Sequence, residues 1–414
     1  MRNLFRYQLA AAILVGTPAL SHAQSRPAPA VLEQQLQAML DSLHAAGSFP
    51  GATVGVALAD GSMLALAVGE ADTMSHTRMR PDDMMLAGST GKTFFGAVAL
   101  QLVSEGRLGL DDPISKYLGE EPWFARLPNG PHITIRMLMN HTSGLVRYEF
   151  DDAFTRAVRA DPYRVWRPEE QIAFILDSEP PFAAGQGWTY SDTNYIVLAM
   201  TMERVTGEPM YDAIRRRLIG PLGLDRIVPQ TGPELPGLVQ GYAGATNPFS
   251  DADAMIENGR FAFDPSFEWA GGGFMVNAAA LARWAKLLYE NRAFDPALNA
   301  DFYNGVETRG LGAGARYGLG VIITETPLGT AYGHSGFFPG YLTEVRYWPE
   351  HRFAIAIQLN TSAGRPLAGG TGRALVELAG IVSAAIRGDT PQSPRPVPKR
   401  RAPRQTRWKK HSTG

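Results

Sequence analysis

The spacing of hydrophobic residues predicts which segments of the chain form helices and which form strands. Apolar residues recur at helical intervals over 30–46, which predicts an amphipathic helix; they are Leu32, Leu36, Met39, Leu40 and Leu43. Residues 51–72 alternate between apolar and other positions around the turn-forming pair Asp60-Gly61, which predicts a β-hairpin. The chain is therefore expected to begin with a helix followed by two paired strands.

Strand-like patterns return only near the C-terminal end, before a helical pattern over 371–387. The predicted strands there are 331–336, 342–348 and 353–360. Between about 95 and 290 the pattern is mostly helical. This order predicts an α+β fold, in which helices flank a mostly antiparallel sheet on one side and a mainly helical subdomain of about 107–290 is inserted.

The segment 89–106 predicts a buried central helix. It is apolar nearly all round, begins with polar residues and ends at Gly106, a residue type that commonly terminates helices. Ser89 and Lys92 then lie on the first turn of this helix. Their spacing makes their side chains neighbours.

Both ends of the chain differ in composition from the body, residues 24–387. Residues 1–23 carry two arginines near their start, continue with an apolar run and end in small residues that precede a cleavage site after Ala23. The apolar run is shorter than the roughly 20 residues that span a bilayer. Residues 1–23 predict a signal peptide, no membrane span, and a protein that is periplasmic or secreted. Residues 388–414 hold eight Lys or Arg and one acid, which predicts a disordered basic tail that makes weak contact with anionic cell envelope at most.

Composition narrows the classes of function. The chain has 414 residues, 45% of them hydrophobic, which is enough for a sizeable core. It has no cysteine, so disulfides and a thiol nucleophile are excluded. The net charge is −1, and without the basic ends the body carries about −10, which argues against nucleic acid as a partner.

The stretch GSTGKT, residues 88–93, has two competing interpretations. A phosphate-binding loop needs a glycine five residues before Gly91, but that position is Leu86, and the preceding RPDDMM is a poor buried strand. The alternative is a serine nucleophile with a lysine partner on one helical turn. Burial favours a neutral lysine, which accepts the serine proton, and the helix N-terminus presents N–H groups to an oxyanion. The second interpretation is the better one.

Two further motifs accompany the Ser–Lys pair. They are Tyr190-Ser191-Asp192 and His334-Ser335-Gly336. In this order the three motifs resemble those of the serine β-lactamase and penicillin-binding-protein-like hydrolases, especially the branch of class C β-lactamases, D-alanyl-D-alanine carboxypeptidases, D-aminopeptidases and lactamase-like carboxylesterases. The stretches 106–118, 138–145 and 270–288 are similar as well, so the resemblance covers roughly 50–385.

The resemblance implies a role for each matching residue. Ser89 would be the nucleophile, Lys92 its activating partner, and Tyr190 the group that shuttles the proton to the leaving group. The N–H groups of Ser89 and Phe337 would form the oxyanion hole beside the strand of Ser335 and Gly336. His141 is interpreted as structural, Asn277 as a helix N-cap, and the glycines 271–273 as close packing near the site.

Two positions depart from the β-lactamase pattern. Asp192 replaces the usual Asn and cannot donate a hydrogen bond to a substrate amide, although it can hold Lys92. His334 replaces Lys. A histidine with an ordinary pKa of about 6.5 loses its positive charge as the pH rises through neutrality, whereas a lysine keeps it. Both changes disfavour anionic substrates.

The sequence therefore predicts an exported serine hydrolase with an ester, peptide or other small-molecule substrate. It has no H-E-x-x-H motif or histidine cluster, so neither a metal nor a cofactor is expected. Carboxylesterase or D-amino-acid peptidase activity is favoured over β-lactamase activity. The alternatives are a true β-lactamase and a catalytically weak protein that binds peptidoglycan fragments. The loops 145–170 and 230–268 are expected to shape the pocket.

Overall fold

The computed structural model of the protein describes residues 29–389. The predicted signal peptide, residues 1–23, lies outside the described residues, as does the predicted tail beyond its first two residues. The domain boundaries drawn at these ends stay predictions.

Helices and strands follow the predicted order. The strands are β1 Gly51–Ala57, β2 Met63–Asp72, β3 Thr77–Arg78, β4 Met85–Leu86, β5 Ile227–Pro229, β6 Ile256–Glu257, β7 Arg260–Phe261, β8 Phe274–Val276, β9 Val306–Glu307, β10 Arg316–Tyr317, β11 Ile322–Thr326, β12 Gly329–Phe338, β13 Tyr341–Trp348 and β14 Phe353–Leu359. The helices are α1 Pro29–Ala46, α2 Lys92–Ser104, α3 Ser115–Leu118, α4 Ile135–Met139, α5 Asp152–Ala160, α6 Pro168–Ile172, α7 Thr193–Thr206, α8 Met210–Ile214, α9 Gly220–Leu222, α10 Ala278–Tyr289, α11 Asn299–Phe302 and α12 Gly370–Arg387.

The main sheet joins the two ends of the described chain. Its nine strands lie in the order β3-β2-β1-β14-β13-β12-β11-β10-β9, and every neighbouring pair is antiparallel. The N-terminal hairpin thus pairs with the last strand, where Val54 lies opposite Ile357. The prediction of a mostly antiparallel sheet is confirmed.

The sheet carries helices on both faces, so the expectation of helices on one side was wrong. Ile355 and Ile357 of β14 point into a core formed with α1 and α12. Ala354 and Ala356, which alternate with them, point into the larger core on the other face, where α10 packs on β1, β13 and β14. The order of elements did not indicate this arrangement, which follows from the burial of β14 at every position, Gln358 included, and so on both faces.

The central part of the chain supplies most helices and the element that carries Ser89. Most of α2 is buried, as the apolar pattern predicted. The middle segment also holds short strands, with β4-β8-β5 forming a three-stranded sheet that the helical pattern did not indicate. Since β4 immediately precedes the Ser89 turn and β8 follows residues 271–273, this small sheet brings those two segments together.

Candidate active site

Ser89 lies on a short turn between β4 and α2. Residues Gly88–Gly91 form a 3-10 turn, and Lys92 is the first residue of α2. The Thr90 hydroxyl donates a 3.0 Å hydrogen bond to the Ala87 carbonyl, which closes the turn. The turn therefore holds Ser89 and Lys92 on one side of the helix start, as the spacing predicted.

The glycines 271–273 pack directly against this turn. Gly272 has φ +141°, and a Cβ atom there would lie 2.1 Å from the Gly88 carbonyl oxygen. Only glycine permits this approach. The prediction of close packing near the site is confirmed, and the packing aims the Gly271 carbonyl at Lys92.

The Lys92 ammonium group has three acceptors around it. Nζ lies 2.9 Å from Ser89 Oγ, 2.5 Å from the Gly271 carbonyl oxygen and 2.5 Å from Asp192 Oδ1. The side chain is fully buried. Nζ donates hydrogen bonds to Ser89 and Gly271 and forms an ion pair with Asp192, so the charged Lys92 donates to Ser89 rather than accepting from it.

The prediction of a neutral Lys92 was wrong for this state of the enzyme. Burial is the largest single influence and lowers the pKa of Lys92, but the charges of Asp192, Tyr190 and Glu268, together with the contact with Asp192, outweigh burial and raise the pKa above its ordinary value. The sequence could show the burial of the lysine. It could not show that a carboxylate from residue 192 would lie against it.

Asp192 is the counter-ion of the site. Its second oxygen, Oδ2, lies 3.9 Å from Nη2 of Arg147, in addition to the contact with Lys92. Burial alone would raise the pKa of Asp192, but the charges of Lys92 and Arg147 lower it to about 2. Asp192 is therefore ionised in the neutral range and holds Lys92, as the sequence analysis suggested.

Tyr190 lies beside the same lysine. The Lys92 Nζ atom is 5.0 Å from the centre of the Tyr190 ring, and the hydroxyl oxygen is buried without a hydrogen bond of normal geometry to any described residue. Burial raises the pKa of Tyr190, while the charge of Lys92 acts against this rise. A buried hydroxyl beside Ser89 and a fixed cation is suited to exchanging the serine proton.

His334 differs most from its predicted behaviour. Its exposed fraction is 1%, its Nδ1–H donates to the Ser335 carbonyl at 2.6 Å, and its Nε2 accepts from the Tyr317 hydroxyl at 2.8 Å. Burial lowers the pKa of His334 to about 3, and the charge of Lys92 acts in the same direction. The expectation that His334 changes charge near pH 6.5 was wrong, because both ring nitrogens are occupied inside the protein.

The strand β12 passes beside the Ser89 turn. A Cβ atom on Gly336 would lie 2.0 Å from the Ala87 carbonyl oxygen, and one on Gly88 would lie 2.7 Å from the backbone nitrogen of Phe337. Ser335 is half-buried, whereas the Phe337 side chain is exposed. The structure thus brings the predicted strand residues to Ser89, and the oxyanion-hole role of Ser89 and Phe337 remains a prediction.

The sequence profile of the Beta-lactamase family matches residues 34–379. The chain belongs to the beta-lactamase family. The match extends over most of the described residues and includes all three motifs of the site. The serine, tyrosine and histidine motifs thus lie within one family match.

Curated relatives of this family member include hydrolases of different substrate classes. The chain is 28% identical to Esterase EstB of Burkholderia gladioli, over 74% of this chain and 87% of the esterase. It is also 28% identical to a D-aminopeptidase of Brucella anthropi, over 76% of this chain but only 57% of that enzyme. These relatives support hydrolase activity.

Solved structures agree with the fold. A D-stereospecific amidohydrolase from Streptomyces sp. superposes with a TM-score of 0.71 and 26% identity, covering 88% of this chain and all of that one. A D-amino acid amidase from Ochrobactrum anthropi SV3 superposes with a TM-score of 0.70 at 21% identity, covering 86% and 98%, and shows the fold alone.

Three charged residues of the site were missed from the sequence: Arg147, Glu149 and Glu268. Arg147 Nε donates to Glu149 Oε1 at 2.5 Å, and all three side chains are mostly or wholly buried around Asp192. Both loops that contain them were expected to shape the pocket. Two features of the sequence could have indicated these residues. Glu268 is the only charged residue of SFEWAGGG, and Arg147 and Glu149 form a pair of opposite charges in VRYEF.

His141 makes hydrogen bonds through one ring nitrogen, and its Nε2 atom is buried without a hydrogen-bond partner among the described residues, so its structural role stays a prediction. It is fully buried at φ +64°, and its Nδ1 accepts from Asn194 Nδ2 at 3.0 Å and from the Ser191 backbone N–H at 3.4 Å. Asn277 caps α10 by accepting from the Ala280 N–H. Among the described residues there is no group of three or more His, Cys, Asp or Glu placed to hold a metal, and no helix long and apolar enough to cross a membrane.

Proposed function

We propose that the protein is an exported serine hydrolase that forms an acyl-enzyme on Ser89 and cleaves an ester or a small amide. The observation that carries the proposal is the geometry of Lys92. Its ammonium group donates to Ser89 Oγ, so the Ser89 hydroxyl proton is left to point elsewhere. We assign its reception to the Tyr190 hydroxyl group, which is buried nearby and has no hydrogen-bond partner among the described residues.

The reaction follows from these positions. The phenolate form of Tyr190, which the charge of Lys92 favours, takes the Ser89 hydroxyl proton as Ser89 Oγ attacks the carbonyl carbon. The negative charge thereby passes from the Tyr190 oxygen to the tetrahedral oxyanion, and Lys92 stabilises it on the Tyr190 and Ser89 oxygens during the transfer. The oxyanion of the tetrahedral intermediate accepts hydrogen bonds from the backbone N–H groups of Ser89 and Phe337. Tyr190 then returns the proton to the leaving alcohol or amine, and a water molecule repeats the sequence to release the acid.

Neutral esters are the favoured substrates within this class. The strand position occupied by His334 carries no positive charge in the neutral range, because burial lowers its pKa to about 3. Asp192 adds a buried negative charge nearby. Both features work against binding a substrate carboxylate, so carboxylesterase or D-amino-acid peptidase activity is favoured over β-lactamase activity.

Hydrolysis of a substrate panel tests the proposal. The panel contains p-nitrophenyl esters, D-alanyl peptides and nitrocefin, and the variants are Ser89→Ala and the control Ser75→Ala, which removes an exposed hydroxyl. We expect Ser89→Ala to lose at least about 10³-fold in kcat, as nucleophile removal does elsewhere, with Ser75→Ala unchanged. Undiminished turnover by Ser89→Ala would remove the serine from the mechanism, and tight peptidoglycan binding with negligible turnover by wild type would favour the binding protein instead.

A further inference from the structure

Three buried carboxyl groups surround two cations beneath Ser89. Asp192, Glu149 and Glu268 are 5%, 9% and 7% exposed, and they face Lys92 and Arg147. Asp192 holds Lys92, and Glu149 holds Arg147. Among residues 29–389, no cation forms an ion pair with Glu268, and the proposed reaction does not use this residue.

Glu268 faces Asp192 across the backbone of Gly271. A Cβ atom on Gly271 would lie 3.5 Å from Glu268 Oε1 and 3.5 Å from Asp192 Oδ2. The Gly271 carbonyl is the group that accepts from Lys92 Nζ. The Glu268 carboxyl group is therefore adjacent to the ion pair that supports Ser89.

The backbone after Glu268 holds the side chain in this place. Trp269 has φ +35° and ψ −110°, which is an unfavourable conformation for a bulky residue and persists only where the surroundings impose it. Gly272 then packs on Gly88. Glu268 is thus fixed to the same turn that positions the Gly271 carbonyl.

The charges of this cluster do not balance when all its acids are ionised. Three carboxylates outnumber two cations by one, and an excess charge is costly in a buried site. Burial raises the pKa of Glu149 to about 7 and that of Glu268 to about 8, and the charge of Asp192 adds to both rises. Glu149 has Arg147 as its ion-pair partner, so we assign the proton to Glu268. The titratable groups that face Glu268 are Lys92 in α2, Arg147, Tyr148 and Glu149 before α5, Asp192 before α7 and Tyr211 in α8.

We propose that Glu268 is a positioning residue for the reaction at Ser89. Its carboxyl group releases a proton to solvent as the pH rises through the neutral range, and the resulting carboxylate opposes the negative charge that develops on Ser89 Oγ and the oxyanion. This inference rests on the proposed function, because it concerns acylation of Ser89. Glu268 touches neither substrate nor Ser89 and acts through Lys92 and Asp192.

The pH dependence of Ser89 acylation tests the inference. Two quantities are measured from pH 6 to 9: the rate of fluorophosphonate labelling and kcat/KM for a neutral ester. The proteins are wild type, Glu268→Gln, Glu268→Asp and the control Glu33→Gln, which changes an exposed carboxyl group. At pH 6 wild type and Glu268→Gln both carry a neutral group and should react at similar rates. At pH 9 only wild type carries the carboxylate, so Glu268→Gln should react faster than wild type by about tenfold. This factor corresponds to a shift of about one unit in the pKa of the reacting groups.

The outcomes separate the two proposals. Glu268→Asp should keep the pH dependence of wild type, because it keeps a titrating group, and Glu33→Gln should match wild type throughout. A ratio of Glu268→Gln to wild type that stays constant from pH 6 to 9 overturns the role of Glu268, while labelling at Ser89 leaves the proposed function standing. Loss of labelling at Ser89 in wild type overturns the proposed function itself.

A second measurement covers the case in which Glu268→Gln fails to fold. Infrared difference spectra of wild type between pH 6 and 9 report the carbonyl band of a buried protonated acid. We expect this band to disappear over the range and to shift in Glu268→Asp. A wild-type protein with no such band, or a band unaffected by Glu268→Asp, contradicts the inference.

Discussion

Asp192→Asn tests whether the buried carboxylate stabilises the folded protein through Lys92. The Lys92 side chain is fully buried and its Nζ lies 2.5 Å from Asp192 Oδ1, so the substitution leaves an ammonium group without its counter-ion. Removing one partner of a buried ion pair costs about 3–5 kcal/mol. Asparagine has nearly the same shape as aspartate, so this loss reflects charge rather than packing.

The pKa of Asp192 gives a second magnitude. Burial would raise this pKa, but Lys92 and Arg147 lower it from 3.8 to about 2, and a difference of that size corresponds to roughly 2 kcal/mol at neutral pH. Since the pKa is lower in the folded state, the contribution is present above pH 3.8 and is lost as the pH falls toward 2. We expect Asp192→Asn to lower the free energy of unfolding by about 2–5 kcal/mol at pH 7.

Urea denaturation at pH 7, 4 and 2.5 measures the effect, because the contribution of Asp192 is lost below pH 3.8. The matched control is Asp251→Asn, which removes an exposed partner of Arg159 and should cost less than about 1 kcal/mol. The difference between wild type and Asp192→Asn should shrink as the pH falls. If Asp192→Asn is as stable as wild type at pH 7, or loses the same free energy at every pH, the ion pair does not stabilise the fold as reasoned.

Two further predictions concern the backbone and the histidine of the site. Gly272→Ala places a Cβ atom 2.1 Å from the Gly88 carbonyl oxygen and should lower the free energy of unfolding by at least about 2 kcal/mol. Gly271→Ala makes only contacts of 3.4–3.5 Å and should lower it by less than about 1 kcal/mol. Urea denaturation compares the two variants, and equal losses of stability would contradict the packing argument. The ratio of kcat/KM for a neutral ester to that for nitrocefin should not change through any titration of His334 between pH 6 and 8, because burial lowers its pKa to about 3. NMR spectra in which the His334 ring titrates near pH 6.5 would contradict this expectation.

Local patterns were sufficient to predict the five longest strands of the main sheet and the helices α1, α2 and α12. The helical spacing of Leu36 and its neighbours corresponds to α1, and the alternating strands correspond to β1, β2 and β12–β14. Apolar residues on all sides of α2 indicated its burial. These features depend on residues close together in sequence, so their periodicity is visible without the fold.

The electrostatics of the site depend on contacts that no local pattern contains. The three acceptors of Lys92 come from residues 89, 192 and 271, and only the fold brings them together. The same holds for His334, whose ring accepts from Tyr317 inside the protein. The burial of Lys92 was foreseeable, but neither its carboxylate partner nor the burial of His334 was.

Detection of the acyl-enzyme tests the central claim most directly. Wild type is mixed with an excess of a slowly hydrolysed ester, quenched in acid within the first turnovers and analysed by intact mass and peptide mapping. We predict one added acyl group on the peptide that contains Ser89, and none in Ser89→Ala. An ester that turns over without any such adduct, or an adduct on another residue that supports turnover, would contradict the mechanism.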